Sequence, residues 1–568
     1  MTSSAGSSPT PGSATAPSRS AVTGFHVYDT TLRDGSQQEG LTLSVDDKLA
    51  VARLLDELGV TYIEGGWPGA VPRDTEFFVR AREELELRTA RLAAFGATRK
   101  AGVAVDEDDQ VRALIDSGAP TVTLVAKSDR RHVISALRTT PEENLAMVRD
   151  TVEHLKVRGR EVFVDAEHFF DGFLYDPDYT TSVVATALEA GAAVAVLCDT
   201  NGGMLPHRVQ EIVADLRTRL ADAGLEGARL GAHTHNDSGC AVANAITAVR
   251  GGIDHVQGCV NGYGERTGNA DLLVMLSNLQ LKMGYDLVPP ETLAEATRIA
   301  HAIGEIVNMP VSPRAPYVGT SAFAHKAGLH ASAIRVDPDL YQHMDPRGVG
   351  NDMRMIISDM AGRASIELKG RELGFDLTDN RNLLTRLAHR VKQREAAGYS
   401  YEAADASFEL LLLDELGRAP SYFRVESWRA TSHQLRDGSL ETEATVKLAS
   451  VGEGEEDQGS GGPDAGAGET SGRSVAIAEG NGPVNALDLA LRSALVGRFP
   501  LIEQLQLIDF KVRILDAHHG TDATTRVLVR TAGAGLEFQT VGVGPNIIEA
   551  SWEAIADAYT YALHKAGD

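Results

Sequence analysis

His233 and His235, two histidines separated by one residue, are the side chains that most clearly point to metal chemistry. On an extended strand the side chains at positions i and i+2 project from the same face, so both imidazoles can approach one ion. Asp34 is a candidate third ligand, and the glycine-rich loop at residues 262–269 is a candidate source of a fourth. Two imidazoles with carboxylate and amide oxygens suit Mg²⁺, Mn²⁺ or Zn²⁺, whereas a closed structural zinc site normally recruits thiolates. The pattern therefore predicts a catalytic divalent-metal site.

Short apolar runs that alternate with helical patterns must position these ligands. Eight such runs occur between Phe25 and about Gly284, and strands alternating with helices imply a parallel sheet. Eight units in roughly 260 residues is the size of a TIM (β/α)8 barrel, with a doubly wound sheet as the alternative. The polar motifs follow the runs, at the strand ends where barrel enzymes carry their sites, and this favours the barrel. The predicted strands are Phe25 to Tyr28, Tyr62 to Gly65, Arg91 to Phe95, Val122 to Ala126, Val162 to Asp165, Val194 to Leu197, Leu230 to His233 and His255 to Val260; helices between them include Val45 to Leu58, Pro141 to Val157, Pro206 to Leu220 and Cys240 to Arg250.

The composition narrows the classes of partner. The chain has 568 residues, of which 43% are hydrophobic, and a formal charge of −25. So negative a chain is not expected to bind nucleic acid or an anionic membrane unaided, which leaves small molecules and other protein chains. Three cysteines in so long a chain provide no disulfide framework, and no run of about 18 apolar residues exists to span a bilayer. We therefore expect a cytoplasmic protein.

The sequence divides into four regions. We expect a disordered leader at residues 1–22, the barrel at 23–289, a helical connector at 290–420 and a C-terminal α+β domain at 421–568. Residues 452–472 are too polar and glycine-rich to pack and are predicted to be a disordered insertion. The C-terminal domain contains a weak repeat that predicts two βββα units, because Gly482-Pro483 and Gly544-Pro545 each open an apolar helix after strand-like runs. The predicted helices here are Asn380 to Arg394 and Tyr401 to Leu416 in the connector, and Val484 to Leu495 and Asn546 to Leu563 in the repeat.

Four motifs in order, DTTLRDGSQ, HTHND, GYGERTGN and AHKAGLHASA, resemble those of the acyl-CoA-dependent 2-oxoacid condensing enzymes, which include 2-isopropylmalate, homocitrate and citramalate synthases. The resemblance covers nearly the whole chain and implies a Claisen condensation of acetyl-CoA with a 2-oxo acid. The segment Glu64 to Gly69, EGGWPG, looks most like the longer citramalate synthases, which favours pyruvate as the oxo acid. A 2-isopropylmalate synthase, which uses 2-oxoisovalerate, is the alternative.

The resemblance also implies roles for particular side chains. The metal would be held by Asp34, His233, His235 and Asn269, and Arg33 would stabilise the enolate or keto oxygen. Glu167 corresponds to a carboxylate tied to proton transfer or acetyl-CoA positioning, and Thr200 would bind the substrate carboxylate. His330 and Tyr341 would complete the acid/base set from the connector, which in the family is supplied across a dimer.

Each of these residues also has a simpler interpretation. Arg33 would otherwise form only an ion pair, Thr200 would be a helix cap, and Glu167 would be a solvated loop acid. His325 competes with His330, and Tyr341 would be a core aromatic residue with a satisfied hydroxyl.

Three classes of function follow from the motifs. The first is the condensing synthase, which in this family carries a leucine- or isoleucine-binding regulatory domain; the predicted effector is isoleucine, and the predicted assembly is a homodimer. The second is an acyl-CoA lyase of the same barrel superfamily, and such lyases usually end after the barrel. The third is a non-catalytic amino-acid sensor, against which the intact ligand set argues.

Overall fold

The computed structural model of the chain describes residues 24–378, 380–450, 473–515 and 523–567. The predicted leader at 1–22 and the predicted insertion at 452–472 lie outside these residues. The chain divides into two compact units: residues up to 323 together with 344–352, and residues 324–343 together with 353 onward. All three boundaries fall within the region predicted as the connector.

The first unit is a closed barrel of eight parallel strands. Each strand pairs with the next, and β1 pairs in parallel with β8, so the sheet has no edge. The closure confirms the predicted TIM barrel and excludes the doubly wound alternative. The strands are β1 His26–Asp29, β2 Tyr62–Gly66, β3 Arg91–Ala97, β4 Thr121–Lys127, β5 Glu161–Glu167, β6 Val194–Asp199, β7 Leu230–Thr234 and β8 His255–Gly258.

Helices connect the strands, and local sequence sets their first residues. The first helix has a capping box between Ser44 and Asp47, and several others begin with proline, whose fixed φ suits a first helical turn. The helices of this unit are α1 Val45–Leu58, α2 Pro72–Glu84, α3 Asp109–Asp116, α4 Arg130–His132, α5 Pro141–Val157, α6 Phe169–Tyr175, α7 Pro177–Glu189, α8 Pro206–Asp222, α9 Ala241–Arg250, α10 Leu272–Ser277, α11 Pro290–Leu293 and α12 Ala296–Ile306. Short 3-10 or π turns lie at Gly35–Gln37, Val133–Leu137, Val260–Gly262, Asn278–Lys282 and Pro346–Val349.

The second unit contains the connector helices and the C-terminal domain. A two-stranded parallel pair of β9 and β10 precedes the helices. The helix predicted from Tyr401 begins at Asp405, so its first four predicted residues lie outside it. The elements are β9 Ala324–His325, α13 Gly328–Ile334, β10 Arg354–Met355, α14 Arg363–Glu372, α15 Arg381–Ala396 and α16 Asp405–Glu415, with a 3-10 turn at Pro338–Leu340.

The C-terminal domain consists of two similar halves, each an antiparallel three-stranded sheet followed by a helix. This confirms the predicted βββα repeat. The helices pack their apolar faces on the sheets in one shared core. The elements are β11 Phe423–Gln434, β12 Leu440–Ser450, β13 Arg473–Gly480 and α17 Pro483–Val496, then a 3-10 turn at Pro500–Gln504 with β14 Gln506–Ile514, β15 Thr525–Gly533, β16 Leu536–Gly544 and α18 Ile547–Ala566. Among the described helices, none is long and apolar enough to cross a membrane.

Candidate active site

Asp34, His233 and His235 come together at the carboxyl end of the barrel strands. Asp34 follows β1, His233 is the penultimate residue of β7, and His235 lies just beyond that strand. The Nε2 atoms of His233 and His235 lie 3.2 and 3.4 Å from Asp34 Oδ2 and 2.9 Å from each other. One possible ligand atom from each residue lies within 4.8 Å of the others, and all three side chains are buried. This convergence of donor atoms fits a single cation.

Asn269, the fourth predicted ligand, forms a bridge pair with His235 in the loop after β8. Its Nδ2 donates to Tyr263 O at 3.0 Å, whereas its buried Oδ1 has no hydrogen-bond partner among the described residues. A Cβ on Gly264 would meet Asn269 Nδ2 at 2.2 Å, so glycine lets the loop close over the amide. Leaving a buried acceptor unsatisfied costs about 1 to 3 kcal/mol, and a bound cation would remove that cost. The orphaned oxygen therefore supports the fit of a metal to this donor set.

The charges of the cluster favour an ionised Asp34. Burial alone would raise the pKa of Asp34, but Arg33 and the two histidines hold this pKa well below its usual range. Burial lowers the pKa of His235. Burial also acts to lower the pKa of His233, but the hydrogen bond and charge of Asp34 outweigh it and the pKa is raised. A deprotonated carboxylate is the form that ligates a metal.

Arg33 is held beside this cluster on three sides. Its Nε donates to Glu64 Oε2 at 2.5 Å, its Nη1 lies 3.5 Å from Asp34 Oδ1, and its guanidinium carbon lies 3.8 Å from the centre of the Phe95 ring. Burial opposes its charge, but Glu64 and Asp34 raise the pKa of Arg33 above its usual value. The ion pair considered from the sequence is therefore present, and it fixes a permanent cation at the wall of the site.

Glu167 ends β5, Thr200 directly follows the neighbouring strand β6, and the two are linked through the backbone of His168. Glu167 is the last residue of β5 and forms an ion pair with Lys127, so it is not a solvated loop acid. Thr200 Oγ1 accepts a hydrogen bond from the backbone N–H of His168 at 2.8 Å. Thr200 therefore does not cap the helix that follows it in the chain, α8, whose N-cap is Leu205. His168 is in the left-handed region at φ +59°, and this hydrogen bond stabilises the turn that follows Glu167.

Gln257 supports the metal cluster from inside the barrel. His233 Nδ1 donates to Gln257 Oε1 at 2.7 Å, and Gln257 Nε2 donates to Asp165 Oδ1 at 3.1 Å. Because the bond to Asp165 sets the orientation of the amide, Gln257 Oε1 is placed to accept from His233 Nδ1, and Nε2, on the Asp34 side, is the atom that would ligate a metal once its proton has left. Burial, together with the charge of Glu64, raises the pKa of Asp165 to about 7.

Asp34, His233 and His235 line a cavity of about 690 Å³ at the carboxyl end of the barrel, together with Arg33, Asp165, Glu167 and Thr200. Its volume is within the range of small-molecule sites. The polar side includes Arg33, Asp34, Glu167 and Thr200, and the apolar side includes Trp67 and Phe95. The cavity can therefore polarise a carbonyl at one wall and contact an apolar substituent at another.

His330 and Tyr341 belong to the second unit, and the cavity belongs to the first. His330 lies on α13, and its ring stacks on that of Tyr341 with centroids 4.1 Å apart. Tyr341 is 40% exposed, which excludes the core aromatic interpretation. The ring centre of His325, the competing histidine, lies 6.0 Å from that of His330. Burial lowers the pKa of His325. The structure thus brings His330 and Tyr341 together as a pair.

Sequence reasoning missed three polar groups of the site: Glu64, Lys127 and Gln257. Lys127 is the last residue of β4, and a charged residue at that position is a usable signal in a barrel. Glu64 is a charged residue in the middle of the buried strand β2. Gln257 lies within a run that looks apolar, two residues after His255 on the same face of β8. Because His255 and Gln257 are two residues apart, their spacing could have predicted that both side chains face the inside of the barrel.

Three family models match successive parts of the chain. Residues 25–301 match the HMGL-like family, residues 317–398 match the homocitrate synthase post-HMGL domain-like family, and residues 402–563 match the LeuA allosteric (dimerisation) domain. The first match covers the barrel with its cavity, and the third covers most of the C-terminal domain.

The chain is also similar to relatives over almost the whole of both chains. The chain is 60% identical over 544 residues to the (R)-citramalate synthase of Streptomyces coelicolor, covering 96% of this chain and 97% of the relative. It is 45% identical to the (R)-citramalate synthase of Aquifex aeolicus, covering 95% and 98% of the two chains. Identity falls to 30% with the 2-isopropylmalate synthase of Pyrococcus abyssi, over 93% and 99%. The chain therefore belongs to the family of the (R)-citramalate synthases, with an HMGL-like barrel.

Proposed function

We propose that the chain is an (R)-citramalate synthase that condenses acetyl-CoA with pyruvate and hydrolyses the thioester, releasing citramalate and CoA. The observation that carries the proposal is 60% identity, over almost the whole of both chains, to a relative of that name. The alternative, 2-isopropylmalate synthase, is the name of relatives only 29 to 30% identical. We place the enzyme in the cytoplasm, because its free cysteines fit a reducing compartment.

A divalent metal would be held by Asp34, His233, His235 and Asn269. When bound, the ion supplies Lewis-acid polarisation of the oxo-acid carbonyl, and Mg²⁺, Mn²⁺ and Zn²⁺ all suit this donor set. The protein's own contribution is to hold the ligands before substrate arrives, through the Gln257 contact with His233 and the ion pair between Arg33 and Asp34. Such preorganisation avoids reorganisation during the reaction.

The remaining residues bind the substrates and move protons. Arg33 donates hydrogen bonds to the oxygen that gains charge when the acetyl enolate attacks the keto carbon of pyruvate, forming the new carbon–carbon bond. Thr200 binds the pyruvate carboxylate with its hydroxyl hydrogen, because its oxygen already accepts from His168. Glu167, paired with Lys127, takes part in proton transfer at the acetyl methyl or in positioning the thioester.

His330 and Tyr341 complete the acid/base set. We propose that they protonate the new alkoxide and assist the water that cleaves the thioester, with the connector supplied across a homodimer. Their stacked rings support this role, because each ring restricts the orientation of the other. The LeuA-type C-terminal domain supports a dimer with allosteric control.

We propose isoleucine as the effector of the C-terminal domain. The two glycine-proline helix starts, predicted to be equivalent, differ: Asn546 Oδ1 accepts from the N–H groups of Ile548 and Glu549 at the start of α18. The start of α17 at Gly482 and Pro483 borders a cavity of about 680 Å³ instead. This cavity is the better candidate for an amino-acid carboxylate and a branched side chain. Calorimetry that detects no isoleucine, leucine or valine binding at millimolar concentration would refute effector binding.

Release of CoA tests the proposed reaction class. The purified protein is incubated with acetyl-CoA, a divalent metal and a thiol reagent, with and without pyruvate. A synthase releases thiol only when both acetyl-CoA and the oxo acid are present. A lyase breaks a carbon–carbon bond of a 3-hydroxyacyl-CoA and leaves the CoA thioester intact. Neither a lyase nor a sensor would therefore release thiol under either condition.

A further inference from the structure

The turn that follows β2 is anchored from beneath by a buried ion pair. Lys48 on α1 is only 1% exposed and pairs with Asp74 on α2. Lys48 Nζ also donates to Gly65 O at 3.0 Å, and Asp74 Oδ2 accepts from the backbone N–H of Trp67 at 2.8 Å. A Cβ on Gly66 would meet the Asp74 carboxyl at 2.4 Å, so the close approach requires glycine. The backbone that carries Trp67 is therefore fixed to two helices.

The indole of Trp67 is fixed independently. Its Nε1–H donates to Gln110 Oε1 at 2.7 Å, and Gln110 Nε2 donates back to Pro68 O at 3.1 Å. Gln110 lies on α3, outside the residues that line the cavity. These two bonds lock both the ring and the turn that bears it. The two bonds thus hold Trp67 in this orientation, and its indole N–H already has an acceptor.

The indole of Trp67 and the ring of Phe95 together form an apolar wall beside Arg33. The Phe95 ring lies under the Arg33 guanidinium, and Trp67 meets Phe95 edge to face with centroids 5.1 Å apart. Arg33, Trp67 and Phe95 all line the cavity that contains the candidate metal ligands. A keto oxygen held at Arg33 would bring the substituent on the same carbon towards these two rings.

We propose that Trp67 is the residue that limits the size of the oxo-acid side chain, and that Gln110 is a positioning residue that acts through it. This inference rests on the proposed function, since it concerns the oxo acid of that reaction. A methyl group, as in pyruvate, packs against the locked indole without overlap. A longer or branched substituent overlaps with the ring and is excluded. A flexible side chain would yield to the larger group, whereas an indole held at its backbone and at Nε1 does not.

The test compares oxo acids in matched variants. Trp67→Leu opens the wall, Gln110→Leu removes the indole's acceptor, and Gln110→Glu keeps an acceptor oxygen. Arg112→Leu, on the same helix, is the control because Arg112 is exposed and pairs only locally with Asp109. Values of kcat/KM are measured for pyruvate, 2-oxobutyrate and 2-oxoisovalerate. The ratio between two oxo acids does not depend on how much of a variant is folded.

For Trp67→Leu we expect the ratio of 2-oxobutyrate to pyruvate to rise at least about tenfold, the usual discrimination for one methylene in a packed pocket. Gln110→Leu should shift the ratio in the same direction, and Gln110→Glu, which keeps the acceptor for Nε1 but loses the donor to Pro68 O, should shift it less. Arg112→Leu should stay near wild type. A Trp67→Leu ratio within twofold of wild type overturns the inference, even if overall activity falls. A wild-type protein that prefers 2-oxoisovalerate overturns the proposed function itself, before any variant is considered.

Discussion

Gln257→Leu should weaken metal binding without dismantling the barrel. In the structure Gln257 Oε1 lies 2.7 Å from His233 Nδ1 and is placed to hold a proton there, while Nε2 faces Asp34 and His235. Without the amide, the His233 ring can rotate or carry its proton on Nε2. Metal binding must then first reorient the ring or move that proton. Removing such an outer partner of a metal-ligating histidine typically costs 10- to 100-fold in affinity, which is about 1.4 to 2.7 kcal/mol.

The assay is a calorimetric titration of the metal-free protein with Mn²⁺, so the readout does not depend on turnover. Thr180→Val is the matched control, because it also removes a buried hydrogen bond, from Thr180 Oγ1 to Ser128 O at 2.9 Å, away from the cluster. We expect the dissociation constant to rise at least about tenfold in Gln257→Leu and to stay unchanged in the control. Equal affinity in Gln257→Leu and wild type would refute the positioning role.

Three further predictions concern the ligands, the acid/base pair and pH. Asp34→Ala should abolish metal-dependent turnover while circular dichroism stays native, because the barrel packs without this ligand; full activity at low metal would refute its assignment. His330→Ala should lower kcat by about 10² to 10⁴ with little change in the KM for pyruvate, as for a positioned acid or base; an effect on KM alone would restrict His330 to binding. Burial, with the nearby Glu553 charge, raises the pKa of Asp557 to about 7, so the folded protein holds this proton more tightly than the unfolded chain. The resulting stabilisation is fully present below the unfolded pKa and is lost as the pH rises to about 7. Asp557→Asn should therefore melt at a higher temperature than wild type at pH 8 but not at pH 4, and parallel pH profiles of the two melting temperatures would contradict this.

The barrel was predictable because its strands and helices alternate in hydrophobic pattern. The predicted strand ends are one or two residues too early where a polar side chain ends the strand. The strand β4 extends to Lys127 and β5 to Glu167, whereas the predicted ends were Ala126 and Asp165. The connector helix predicted from Tyr401 begins at Asp405, since Tyr401 N donates to Glu395 Oε1 in a turn outside the helix. Apolar periodicity alone does not reveal such a turn.

The candidate ligands were predictable because their spacing is local, as with His233 and His235, or because each lies in a motif. The contacts that orient them were not, because they join strands distant in sequence. Gln257 touches His233 on the neighbouring strand and Asp165 three strands away. The barrel strands are buried on both faces, so their sequences do not separate inward from outward side chains. Only the closed sheet shows which polar residues meet.

Steady-state kinetics with four oxo acids test the central claim most directly. Pyruvate, 2-oxobutyrate, 2-oxoisovalerate and 2-oxoglutarate are each supplied with acetyl-CoA and a divalent metal, and the product is identified by chiral chromatography. The proposal predicts the highest kcat/KM for pyruvate, with (R)-citramalate as the product. A higher kcat/KM for 2-oxoisovalerate would contradict it and assign the chain as a 2-isopropylmalate synthase.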